Sequence, residues 1–187
     1  IYPVAVAIIR GNEDQAGWTF FLENLSAACP LLSVPHHLDR VRYKYFTFVS
    51  DRDKGLKEAL AHVFPENHAT FCAVHIQRNV LAKFGPKAAL NVCDIAKTSS
   101  TRLEDQWLAK LSRKAREYLE RIPSESWRST EWIRNDALPP RYGITSTNNS
   151  ESLNSMVLEA RGDVCWLDSL DWILDKMSTR ISNLRTN

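Results

Sequence analysis

Two short apolar runs, each delivering the chain into an amphipathic helix, limit what this sequence can fold into more than any other feature. FTFVS at 46–50 and ATFCAV at 69–74 are rich in aromatic and β-branched residues and read as strands. Behind the first, Leu56, Ala59, Leu60 and Val63 recur at helical spacing up to Pro65; behind the second, Ile76, Val80, Leu81 and Phe84 do the same. A third such pair precedes them. Residues 2–10 form an apolar run ended by Gly11, and Trp18, Phe21, Leu22, Leu25 and Ala28 then share one helical face. Asn12 is the expected N-cap of that helix, with Gln15 three residues on and Pro30 after its end. Strand, helix, strand, helix, strand, helix predicts an α/β layer architecture.

The rhythm stops after residue 84. Residues 30–45, with two prolines and two histidines, read as a loop, whereas 85–140 contain no convincing strand. Within that span Leu103, Trp107, Leu111, Ala115, Leu119 and Ile122 predict one long amphipathic helix in an all-α insertion. After LPPRYGIT, the stretch STNNSESLNSMVLEA reads as a polar turn opening into a helix. A last helix follows, with Leu167, Leu170, Ile173, Leu174, Met177 and Ile181 as its core face. The expected organisation is a core first part at 1–84, the insertion at 85–140 and C-terminal core helices at 141–187. Because the chain opens on Ile1 in the middle of an apolar run, it reads as an N-terminally truncated piece of a longer protein.

Composition excludes little. With 44% hydrophobic and 25% charged residues the chain is an ordinary globular sequence, and its formal net charge of +2 does not by itself argue for nucleic acid. Any such surface must come from local clustering. The four cysteines, Cys29, Cys72, Cys93 and Cys165, have no spacing that reads as a disulfide framework, which predicts a reducing compartment. No apolar run approaches the roughly 20 residues that span a bilayer, so no membrane partner is expected.

Asp51 sits where a strand gives way to a helix, a place open both to helix capping and to ligand chemistry. Ser50 and Asp53 already form an S-x-x-D box, which leaves Asp51 without a capping task. For Glu151 the two readings stay open, because Asn148 three residues earlier gives a capping-box spacing. Cys72 and His75 make a C-x-x-H pair that supplies two of the four ligands of a structural zinc, with Cys93, His62 and His68 as further donors at no recognised spacing. The plainer reading is a buried cysteine on the strand and a hydrogen-bonded histidine at the next helix start. Lys110, Arg113, Lys114, Arg116 and Arg121, with Trp107, Tyr118, Trp127 and Trp132 nearby, either track a phosphate backbone or are a solvated face over core aromatics.

Three blocks together, YPVAVAIIRGNEDQAGWTFFLENL, FTFVSDRDKGLKEALAHVFPENHATFCAVHIQRNVLAKF and RYGITSTNNSESLNSMVLEAR, resemble in order and spacing the successive blocks of Mutator-like element (MULE) transposases. The resemblance covers most of 2–90 and 140–175. It implies a ribonuclease H-like fold, a mixed sheet flanked by helices, carrying a DDE catalytic triad. Asp51 matches the second aspartate and Glu151 is the best match to the glutamate, as catalytic and metal-holding residues. Cys72 and His75 match the C-x-x-H pair, read as structural support near the site. The first aspartate of the family has no counterpart in this chain.

The implied activity is DNA strand cleavage and strand transfer, dependent on two Mg²⁺ or Mn²⁺ ions. Arg52, Lys54, Arg78, Lys110, Arg113 and Lys114 are the candidate phosphate contacts. The implied partners are terminal-repeat and target DNA and further copies of the chain, and the implied location is the nucleus. The alternative is a domesticated or decayed transposase that binds DNA and regulates transcription without catalysis.

Overall fold

The computed structural model describes residues 12–29, 32, 46–52, 55–65, 67–135, 138, 141, 143–147, 151, 155 and 166–185, together with Ala5, Ala7 and Ile9. The chain divides into two compact units, one of residues 13–147 and one of residues 1–12 with 148–187. Among the described residues the architecture is mixed α and β, mostly helical, around one small parallel sheet.

In the larger unit, helix α1 (Gln15–Ala28) begins two residues later than the Asn12 cap predicts. Its N-cap is Asp14, whose carboxylate accepts from Gly17 N at 2.9 Å. An ionised cap also complements the helix dipole, which Asn12 cannot do. Leu22 is buried, and Trp18, Phe21 and Leu25 pack with it against Ala59, Leu60 and Phe64. Ala28, assigned to the same face by periodicity, is exposed.

Strand β1 (Thr47–Ser50) pairs in parallel with β2 (His68–Phe71), Thr47 opposite His68 and Ser50 opposite Phe71. Parallel strands cannot be joined by a tight turn, and α2 (Leu56–Val63) is the crossover. Phe64, just past α2, stacks on Phe48 of β1 with ring centroids 5.1 Å apart. The start of α2 lies against the start of α1, and Gly55 is what allows it. Gly55 has φ +79°, and a β-carbon there would meet the Gln15 backbone at 2.5 Å.

Helix α3 (Ala73–Phe84) follows β2 directly and stops at Gly85, φ +83°. Its buried face, Ala73, Ile76 and Val80, anchors a second apolar core built by α4 (Pro86–Ala89), α5 (Val92–Lys97), α6 (Thr101–Lys110) and α7 (Arg113–Glu120). A 3-10 turn (Ser124–Ser126) and α8 (Ser129–Arg134) complete the layer, with Trp127 fully buried beneath them. The single long helix expected over 103–122 is two helices. Leu111 leaves helical geometry and Ser112 caps α7, accepting from Ala115 N at 3.4 Å.

In the smaller unit the longest element is α9 (Trp166–Arg185). Of its expected core face, Leu170, Ile173 and Met177 are half-buried, while Leu167 and Leu174 are 51% and 48% exposed. The side chain of Ile181 lies outside the described residues. So does most of the strand expected at 2–10; Ala5, Ala7 and Ile9 are exposed and in no strand. Glu151 and Ser155 are helical, and the rest of the helix expected after the polar turn is outside the described residues. Among the described residues, no helix is long and apolar enough to cross a membrane.

Candidate functional site

The parallel ladder ends at Ser50, whose carbonyl accepts from Cys72 N at 2.7 Å. Asp51 is the next residue, half-buried, at the carboxyl end of β1. In layered α/β structures that is where ligands collect, because the strand ends leave a crevice that the following helices do not fill. Asp51 is not the cap of α2. The N-cap is Gly55, which brings no side-chain hydrogen bond to the start of that helix.

Ser50 likewise is not the N-cap of α2. The Ser50 hydroxyl donates instead to the Asp51 carbonyl at 2.8 Å, five residues before the helix begins. Asp53 and Lys54 lie outside the described residues. The physical reason is the left-handed Gly55: it turns the chain sharply into α2, so the helix starts later than a Ser50 cap would allow.

Arg52 turns towards the helical layer. Its Nη2 donates to the Tyr118 hydroxyl at 2.5 Å, and its guanidinium carbon lies 5.7 Å from the centre of the Tyr118 ring. Its Nε is buried without a hydrogen-bond partner. Lys83, in the last turn of α3, places its ammonium 5.6 Å from the same ring. Tyr118 is held in turn by Phe84, with centroids 5.7 Å apart.

Cys72 shares this end of the sheet. It is fully buried at the N-cap position of α3, and its sulfur accepts from Thr147 N at 3.3 Å. Beside it, Ala73 N donates to Thr145 O at 2.8 Å, so the segment 145–147 is laid along the Cys72–Ala73 corner. His75, half-buried, lies in the first turn of α3. Asp51, Arg52, Cys72 and His75 thus belong to the larger unit, and Glu151 to the smaller.

The remaining basic candidates separate by environment. Arg78, Lys110, Arg113 and Lys114 are exposed, and Arg113 is neutralised locally by Glu117 at 2.7 Å across one turn of α7. Arg116 is not on a free face at all. Half-buried, it donates to the Leu108 carbonyl at 2.9 Å and satisfies the end of α6. Of the nearby aromatics Trp127 is core, as the plainer reading had it, whereas Trp107, Tyr118 and Trp132 are half-buried.

The further donors considered with Cys72 are spread through the larger unit. His62 is exposed on α2. Cys93 donates to Gln77 Oε1 at 3.3 Å, and burial pushes its thiol pKa up. His68 opens β2 edge-on to Trp132, with centroids 4.8 Å apart, and burial lowers its pKa.

Several polar groups had no signal in the sequence. Glu104 is buried in α6, paired with Arg128 at 3.1 Å and accepting from the Thr130 hydroxyl. Arg141 is 8% exposed, donates to Ser129 Oγ at 2.8 Å and lies over the Trp132 ring; burial lowers its pKa to about 10. Tyr118, too, is in sequence only one of several aromatics near the basic residues. Each of these contacts joins residues far apart in the chain, where periodicity carries no information.

Residues 1–79 match the MULE transposase domain. The transposase for insertion sequence element IS1201 of Lactobacillus helveticus is 33% identical over 75 residues, 40% of this chain and 17% of that protein. The matched segment is therefore a small part of that relative's length. No solved structure matches. The match covers β1, Asp51, β2, Cys72 and His75, and it ends before Lys83 and the helical layer.

Proposed function

We propose that this chain is the catalytic region of a transposase that cuts and joins DNA by a DDE mechanism on a ribonuclease H-like core, with 85–140 as its helical insertion between core segments 1–84 and 141–187. The observation that carries the reading is the position of Asp51. It is the first residue past the paired end of β1, it does not cap α2, and it lies inside the segment that matches the MULE transposase domain.

The donor chemistry fits a hard divalent cation, Mg²⁺ or Mn²⁺. Asp51 offers carboxylate oxygens from a half-buried strand end, and Glu151 would supply the second carboxylate from a helical residue. Such ions, when bound, activate an attacking oxygen and stabilise the leaving one. The chain's own part is to fix the donors: Ser50 Oγ holds the Asp51 carbonyl, and Tyr118 holds Arg52 beside it. Cys72 and His75 support the same end of the sheet.

In the first step water attacks a phosphodiester at the element end and a 3′-hydroxyl leaves. In the second, that hydroxyl attacks target DNA, with one P–O bond formed and one broken each time. Two element ends call for a second copy of the chain, and the nucleus is the location that goes with the resemblance to Mutator-like elements.

The experiment uses the full-length gene product with element-end duplex and Mg²⁺. Asp51→Asn and Glu151→Gln should each lower cleavage by about 100-fold or more, since losing even an outer partner of a metal ligand costs roughly 10- to 100-fold, with duplex binding retained. Cleavage undiminished by Asp51→Asn would sink the proposal. Duplex binding with no cleavage in either metal would identify a non-catalytic DNA-binding regulator instead.

A further inference from the structure

We propose that Arg52, Lys83 and the Tyr118 hydroxyl form a seat for one phosphodiester of the DNA backbone, next to Asp51 and reaching onto the helical layer. The inference deepens the transposase reading and rests on DNA being the substrate.

Two cations converge on one aromatic ring, Arg52 at 5.7 Å and Lys83 at 5.6 Å from its centre. The ring quadrupole attracts each of them, and they repel one another. Among the described residues neither pairs with a carboxylate; the ion pairs there join Arg113 to Glu117, Arg128 to Glu104 and Arg134 to Glu131. An unneutralised pair of this kind favours a shared anion.

The donors suit phosphate in particular. A guanidinium offers a planar fork to phosphate oxygens, and an ammonium meets them as a point charge. Tyr118 accepts from Arg52 Nη2, which fixes the orientation of the fork and leaves the tyrosine's own O–H proton to be donated. Three elements thus present donors to one place: the turn after β1, the last turn of α3, and α7. Because Arg52 adjoins Asp51 in the chain, a backbone phosphate held there would set the register of the strand relative to the carboxylate.

Position separates this seat from the other basic residues. Among the described residues the cations over aromatic rings are Arg52, Lys83, Arg128, Arg141 and Lys176, whereas Lys110 and Lys114 are exposed elsewhere and Arg113 is already paired. Lys57, exposed on α2, has no such neighbour either and serves as the control.

The test is fluorescence anisotropy of a labelled duplex with the full-length gene product in EDTA, over a range of salt. Lys83→Gln should weaken binding roughly 5- to 10-fold and reduce the slope of log K against log salt by about 0.9, the value for one phosphate contact. Lys57→Gln should change neither by a comparable amount. Tyr118→Phe, which keeps the ring and removes the hydroxyl, should weaken binding with the salt slope nearly unchanged.

Equal effects of Lys83→Gln and Lys57→Gln would overturn the proposal, as would a wild-type chain that does not bind duplex. Circular dichroism of each variant guards against loss of fold. Without metal no cleavage enters the measurement. A normal result here with cleavage insensitive to Asp51→Asn would reject the catalytic reading and leave the seat standing.

Discussion

The backbone of Gln15 lies so close to Gly55 that a β-carbon on the glycine would sit 2.5 Å from the Gln15 nitrogen. The starts of α1 and α2 meet there, and Gly55 also has φ +79°. Gly55→Ala therefore meets two penalties at once, a strained backbone and an overpacked contact. We expect a loss of about 2 to 4 kcal/mol, read as a lower urea midpoint with unchanged slope. A variant as stable as the wild type would show that the two helix starts do not touch.

Glu104 is buried between Arg128 and Thr130. Glu104→Ala leaves a buried guanidinium without its partner, which costs about 3 to 5 kcal/mol for pairs of this kind. Glu104→Gln keeps an oxygen to accept from Thr130 and should lose less. Chemical denaturation of both variants checks the order; an alanine variant less perturbed than the glutamine one contradicts it.

His68 carries a pH dependence of definite sign. Burial lowers its pKa from 6.5, so the folded state favours the neutral ring against Trp132. The unfolded chain takes up the proton first as pH falls, and stability is lost from about pH 6.5 downwards until the folded pKa is passed. His68→Phe retains a ring and cannot be protonated. Its fall in melting temperature between neutral and mildly acidic buffer should be smaller than that of the wild type. An equal fall would assign the acid sensitivity to other groups.

Ser112 separates α6 from α7 by accepting from Ala115 N. Ser112→Ala should cost about 0.5 to 1 kcal/mol, the lower half of the range for a lost N-cap, because the bond is long at 3.4 Å. Thermal denaturation gives the number. No change would mean that the bend at Leu111 is held by packing alone.

That bend shows where sequence reasoning stops. Leu111, Ala115 and Leu119 keep helical spacing straight across it, so periodicity reads one helix where there are two. The apolar face is continuous because both helices cover the same core, and the backbone break leaves no trace in spacing. The strands expected at 46–50 and 69–74 were legible in position because aromatic and β-branched content is local, but the second ends at Phe71: Cys72 is the N-cap of α3, and Ala73 and Val74 are already helical. Asp14 displaced Asn12 as a cap within a two-residue margin that spacing does not resolve.

At the candidate site, the strand-end position of Asp51 could be read from the chain. Its neighbour Arg52 could not be placed, because its partner Tyr118 is 66 residues away.

The corner at Cys72 gives the protein a built-in clock. Its sulfur is sealed beneath the Thr147 amide, whereas Cys29 and Cys93 are only half-buried. A thiol reagent should therefore modify Cys29 quickly, Cys93 more slowly because its raised pKa leaves less thiolate, and Cys72 only when the 145–147 segment lifts away. The rate at Cys72 then counts openings of the sheet end itself. It reports how often the edge beside Asp51 comes apart, with no substrate present and no cleavage to measure.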